Sequence, residues 1–211
     1  SNTQNTDLDL VVVDDSFATA GLQFGQWFDD AGTWRHYGYN ALDTIQDGID
    51  SVNVNGTVDV YAGTYDDDLQ IVIDKDMEIT GAGKGITVLN PAGDTGSSGD
   101  ARGWLLVDSG VNLDLSGMTL DGDGTLIYQG IRHKGTGTID DVAFENILYN
   151  ESGPDYQGTA VAAFNGGTGD LDVTDSTFDN IGRIGVVYSG TSGEFSGNTY
   201  TGKGAGDWLD Y

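Results

Sequence analysis

Along most of this chain, apolar and polar residues alternate in short runs, and Gly, Asp or Asn closes each run. A period of two marks a strand with one face buried and the other solvated. The runs also recur. The phrases Leu115-Ser-Gly-Met-Thr-Leu120, Ile139-Asp-Asp-Val-Ala-Phe144, Val173-Thr-Asp-Ser-Thr-Phe178 and Phe195-Ser-Gly-Asn-Thr-Tyr200 share one pattern. Their starts lie 24, 34 and 22 residues apart, and Ile79 is an earlier equivalent, 36 residues before Leu115. A repeat of this period, made of short strands and tight turns, predicts a solenoid in which each repeat is one coil.

Ahead of the coils the pattern changes. Residues 8–13 read as a first strand, and 16–40 as an irregular aromatic segment. Ile45, Ile49 and Val52 then recur at i, i+4 and i+7, the stripe of a short helix that Asp43 or Thr44 can cap. Trp27, Phe28, Trp34, Tyr37 and Tyr39 could stack on sugars, but a solenoid end must be covered. The expectation is that most of them plug that end around the helix. Short strands follow at 56–65, 69–73, 77–80 and 86–89. One domain over 1–211 is predicted, with a cap at 7–55 and coils over 56–211.

Composition narrows the partners. The 34 glycines against two prolines suit many tight turns. The net charge is −26 and only four of the 34 acidic residues are Glu, a bias that also favours turns over helices. No basic face exists to displace counterions from phosphate, so nucleic acid is excluded as a partner. There is no cysteine, and no apolar run approaches a membrane span. The abrupt start at Ser1 and the stop at Tyr211 suggest a piece of a longer protein, extracellular or at the cell surface. A complete cytosolic protein is the alternative.

The stretch 39–90, with ALDTIQDGID and GTVDVYAGTYDDDLQIVIDKDMEITGAGKGITVLN, resembles the N-terminal coils of right-handed parallel β-helix proteins of the pectin-lyase-like class. It is especially similar to the opening of pectin methylesterases and of bacterial surface β-helix proteins. The resemblance implies an all-β, single-stranded right-handed parallel β-helix with a short N-terminal capping helix, of six or seven coils. It carries less about activity, since one fold hosts many chemistries. The esterases' catalytic Asp, Arg and Gln phrases have no match here, and the early GxYxE phrase departs, with Asp67 in place of Glu.

Coil phase locates two loops. Residues 91–102 and 151–157 extend the two long coils at similar phase, so they should wall one side of a groove two coils apart. Asn146 and Asn180 occupy equivalent places and should form a hydrogen-bonded ladder. Thr119, Ala143, Thr177 and Thr199 make a packing column. An end coil left uncovered at the C-terminus would favour self-association through it.

The densest cationic cluster is Arg132-His133-Lys134. The polyuronate lyases of this class resemble a candidate activity, in which Arg or Lys serves as base and Ca²⁺ neutralises the substrate carboxylate. Counting back from the coil anchors sets Arg132 level with Tyr188 and Lys134 level with Gly190. Arg102, Arg183, Tyr156 and Tyr188 are candidate substrate contacts. The competing reading is a set of surface ion pairs. Asp94, Asp100, Asp121, Asp123 and Asp155 lie in or near turns, and the spacing of Asp121 and Asp123 suits a shared Ca²⁺. Gly81-Ala-Gly-Lys-Gly85 lacks the Ser or Thr of a phosphate loop. Two functions remain: a non-catalytic scaffold, adhesin or carbohydrate-binding module, and a Ca²⁺-assisted polysaccharide lyase. The first is favoured, because no catalytic signature is complete.

Overall fold

The computed structural model describes residues 8–66, 68–149 and 157–202. Its coil strands stack in parallel register, and the repeated phrases fall in a single column. Val58, Ile79, Leu115, Ile139, Val173 and Phe195 are successive partners. The chain is a parallel β-helix, right-handed as twisted strands require of parallel crossovers.

Each coil crosses three faces. The first face holds Leu10–Val13, Gly56–Val60, Met77–Gly81, the opening halves of Asn112–Asp121 and Thr136–Glu145, Leu171–Thr174 and Phe195–Ser196. The same sheet bends into a second face along Gly117, Asp141, Asp175 and Gly197, whose φ angles are 68°, 54°, 46° and 68°. Asp tolerates the left-handed region better than most side chains, which is why Gly and Asp alternate at this corner. The third face holds Ile71–Ile73, Gly103–Val107, Gln129–His133, Thr159–Ala163 and Ile184–Tyr188.

Alternate residues of each face point inward and fill the coil with stacked columns. Leu89, Leu120, Phe144, Phe178 and Tyr200 form one of these. The Phe144 and Phe178 rings are parallel, 5.1 Å apart. Burying one such side chain contributes roughly 1.5–3 kcal/mol. Another column alternates in size, with Leu113, Gly137 and Leu171 in register. A Cβ on Gly137, at φ +132°, would collide with the Leu113 carbonyl oxygen of the coil below. Only glycine allows the coils to close there. In the last described coil, Phe195 and Tyr200 are each 51% exposed.

The N-terminal helix is Ile45–Ser51, capped by the Thr44 hydroxyl, which accepts from the Asp47 N–H at 3.2 Å. Ile45, Ile49 and Val52 are buried in the core of the coils, as the stripe predicts. The aromatic segment departs from expectation. It forms an antiparallel hairpin, Trp27–Asp30 with Thr33–His36, turned by Ala31 and Gly32 at positive φ. Phe28 and Tyr37 pack with Phe17 and Val12 in a second cluster. Val12 points away from Val11 and Val13, so these rings cover the outside of the first face instead of plugging the end around the helix. The physical reason is the unbroken Val11-Val12-Val13 run, which is apolar on both faces and must be buried on both. Under the hairpin the Tyr61 hydroxyl donates to Asp30 at 2.7 Å, and burial, aided by that bond, pushes its pKa up to about 12.

Candidate functional site

Three turns leave the second face at the same corner and line one side of the coil. The long segment after Leu89 runs over 90–102, a short turn follows Asp121, and a long segment follows Glu145. The two long segments are two coils apart at one phase, as counted from the sequence. Residues 151–156 of the second, with Tyr156 and Asp155, lie outside the described residues.

Between the turns lies a cleft of about 400 Å³, walled by Asp123, Thr125, Leu126, Asn146, Leu148 and Asn180. Its floor is the expected ladder. Asn180 Nδ2 donates to Asn146 Oδ1 at 2.7 Å, and Asn146 Nδ2 donates to Asp121 Oδ1 at 2.8 Å. Both Asn residues sit at positive φ, 55° and 52°, where Asn is better tolerated than most side chains. Leu126 is 46% exposed at the rim. Beyond Leu126 and Leu148 stand Tyr128 and Tyr149, ring centroids 4.9 Å apart, with the Arg102 guanidinium 4.7 Å over Tyr128. Arg102 Nε donates to the Ser97 carbonyl, which holds it to its own loop. Arg183 is exposed on the turn after Asn180, and its N–H donates to the Gly158 carbonyl.

Asp121 and Asp123 belong to one turn. Asp121 Oδ1 accepts from the Asp123 N–H at 3.0 Å as well as from Asn146, so that oxygen organises the turn. Among the described residues no three His, Cys, Asp or Glu side chains converge as a metal site would need.

The cluster Arg132-His133-Lys134 lies on the third face and is divided by the pleat. Arg132 and Lys134 point outward, beneath the short 3₁₀ helix Gly99–Arg102. Asp100 of that helix accepts from Arg132 Nε and Lys134 Nζ, both at 2.9 Å, and Lys134 also pairs with Asp108 at 3.1 Å. The Arg132 guanidinium lies 4.9 Å over Phe164. Lys134 and then Arg132 hold the Asp100 carboxyl below the usual range, while Asp100 raises the pKa of Lys134. A raised lysine stays protonated and is a poor general base. His133 points inward and is fully buried. Its Nδ1 accepts from the Gly135 N–H at 3.3 Å, and burial pushes its pKa down to about 4.

The third-face register corrects the backward count. His133, through Ala163, is level with Tyr188, and Arg132, through Ala162, is level with Val187. Turns of unequal length join the third face to the first, and a slip of one residue exchanges the faces. Tyr188 therefore packs against the core, its hydroxyl donating to the Glu194 carbonyl at 3.3 Å, away from Arg132 and Lys134. Missed in the sequence were Tyr128, Tyr149, Leu126 and Leu148. An aromatic or Leu directly after each apolar turn residue was the available signal.

No family model matches this chain, and no curated protein matches it. Among solved structures it is similar to a pectin methylesterase variant crystallised with a hexasaccharide. The identity is 11% and the TM-score 0.44, over 96% of this chain and 68% of the other. The strand register, not this likeness, makes the chain a β-helix.

Proposed function

We propose that this chain is a non-catalytic β-helix module that binds carbohydrate in the loop-side cleft. The observation that carries this reading is the composition of the cleft wall. Amide and carboxylate oxygens of Asn180 and Asp123 stand beside the apolar surfaces of Leu126 and Leu148, and the Tyr128–Tyr149 pair follows each leucine by one or two residues. Sugars present hydroxyls at their edges and C–H groups on their faces, so they suit a site with both kinds of surface.

The non-catalytic part is supported by the state of the cationic cluster. Arg132 and Lys134 are bound to Asp100, and His133 faces the core, so no base stands free beside an open groove in this cluster. The lyase alternative keeps one favourable observation, that both cations are on the outer surface near loop 90–102.

The test is amide chemical-shift mapping with a pool of soluble oligosaccharides. Shifts grouped at 122–128, 146–149 and 180 are expected. No shifts, or shifts confined to other faces, would contradict the reading.

A further inference from the structure

We infer that the cleft takes a linear neutral polysaccharide, lying along the coil axis, and rejects polyuronates. The inference rests on the carbohydrate reading above and narrows its ligand class.

Charge around the cleft comes first. The three second-face strands that enter it end in Asp121, Glu145 and Asp179, which are register partners on successive rungs. Each directly precedes a cleft residue, Gly122, Asn146 or Asn180. Burial, then Asp121 and Asp179, raise the pKa of Glu145, as like charges on neighbouring rungs should. Asp123 adds a carboxylate at the rim, and Asp94 another, where it accepts from the Leu126 N–H at 2.8 Å. The nearby cations do not balance this. Arg132 and Lys134 are paired with Asp100 and Asp108. Among the described residues, Arg102 and Arg183 remain against five carboxylates. A polymer with one carboxylate per sugar meets repulsion here on top of the chain's overall charge of −26.

Hydrogen-bonding capacity points the same way. Among the described residues, the Asp123 carboxylate and Asn180 Oδ1 accept no bond, and Asn146 has both side-chain atoms committed to the ladder. These free oxygens are acceptors, matched by the hydroxyl donors of a neutral sugar, whereas a sugar carboxylate brought against Asp123 meets a like charge. Spacing sets the direction. The rungs repeat at about 4.8 Å, close to the length of one pyranose residue. A linear chain parallel to the axis meets Asp123 at one rung and Asn180 two rungs further on, with its C–H faces on Leu126 and Leu148.

The experiment is titration calorimetry of the whole chain against neutral glucan, mannan, xylan and galactan, and against polygalacturonate and alginate, at low and high salt. A neutral polymer should bind with little salt dependence, and the polyuronates should not bind. Asp123→Ala should weaken the neutral polymer by about tenfold, the loss of one charged hydrogen bond. Asp123→Asn, which keeps one acceptor, should weaken it less. Tighter binding of a polyuronate that falls with salt would overturn the neutral class and leave the carbohydrate reading intact. Neutral binding unaffected by Asp123→Ala would overturn the assignment to this cleft. Absence of binding to every polymer would overturn both readings together.

Discussion

The side chain of Gln46 hydrogen-bonds the backbone of Val72 as a neighbouring strand would. Its Oε1 accepts from the Val72 N–H at 2.8 Å, and its Nε2 donates to the Val72 carbonyl at 3.2 Å. Ile71–Ile73 is the first strand of the third face, so its outer edge would otherwise present unpaired backbone to a second chain. One helical glutamine occupies that edge and is braced by Asp50 at 2.8 Å. Replacing it with Leu should cost about 1–3 kcal/mol, since both backbone groups lose a partner. Urea unfolding measures the loss, and sedimentation should show new self-association at the freed edge.

His133 makes stability depend on acid. Its folded pKa, about 4, lies below the ordinary value of 6.5, so the unfolded chain binds the extra proton between those values. Its contribution is complete above pH 6.5 and falls as pH drops towards 4, by roughly 3 kcal/mol in all. Denaturation midpoints measured across that window should show a slope that His133→Leu reduces.

Backbone conformation and side-chain bonding can be separated at the ladder. Asn180→Gly removes the bond to Asn146 but permits φ 52°, whereas Asn180→Ala removes the bond and adds left-handed strain of roughly 1–2 kcal/mol. The Gly variant should therefore unfold at higher urea. Gly137→Ala should be far worse than either, because its Cβ meets backbone of the coil below.

Loop 90–102 is held down by charge. Asp100→Ala leaves Arg132 and Lys134 without their shared partner and should speed amide exchange over 97–102. Arg132→Ala should cost less than about 1 kcal/mol, since Asp100 and Arg132 are both partly exposed. Equal exchange in Asp100→Ala and the parent chain would contradict the tether.

The first face was legible in the sequence because its anchors precede a fixed corner. Leu115, Ile139, Val173 and Phe195 each stand two residues before a Gly or Asp that must turn left-handed, so counting between them needs no knowledge of loops. The amide ladder of Asn146 and Asn180 was legible for the same reason. The third face was not. Ile139 follows His133 by six residues, Val173 follows Ala163 by ten and Phe195 follows Tyr188 by seven, so its register is set by turn length and closure of the coil. Because of that variation a fixed count sets Arg132 opposite Tyr188, whereas in the fold His133 is opposite Tyr188. The hairpin of Trp27 and His36 shows no alternation to betray it; the two rings stack 4.7 Å apart across the strands. The cleft depends on where Leu126 and Leu148 point in their turns, which only tertiary packing decides.

Release of unsaturated uronide from pectate and alginate, followed by ultraviolet absorbance with and without Ca²⁺, decides between a binding module and a lyase. No rise is expected on either polymer, because Asp100 raises the pKa of Lys134 and His133 is enclosed in the core. A Ca²⁺-dependent rise that disappears in Arg132→Ala would contradict the binding module and make this β-helix a lyase.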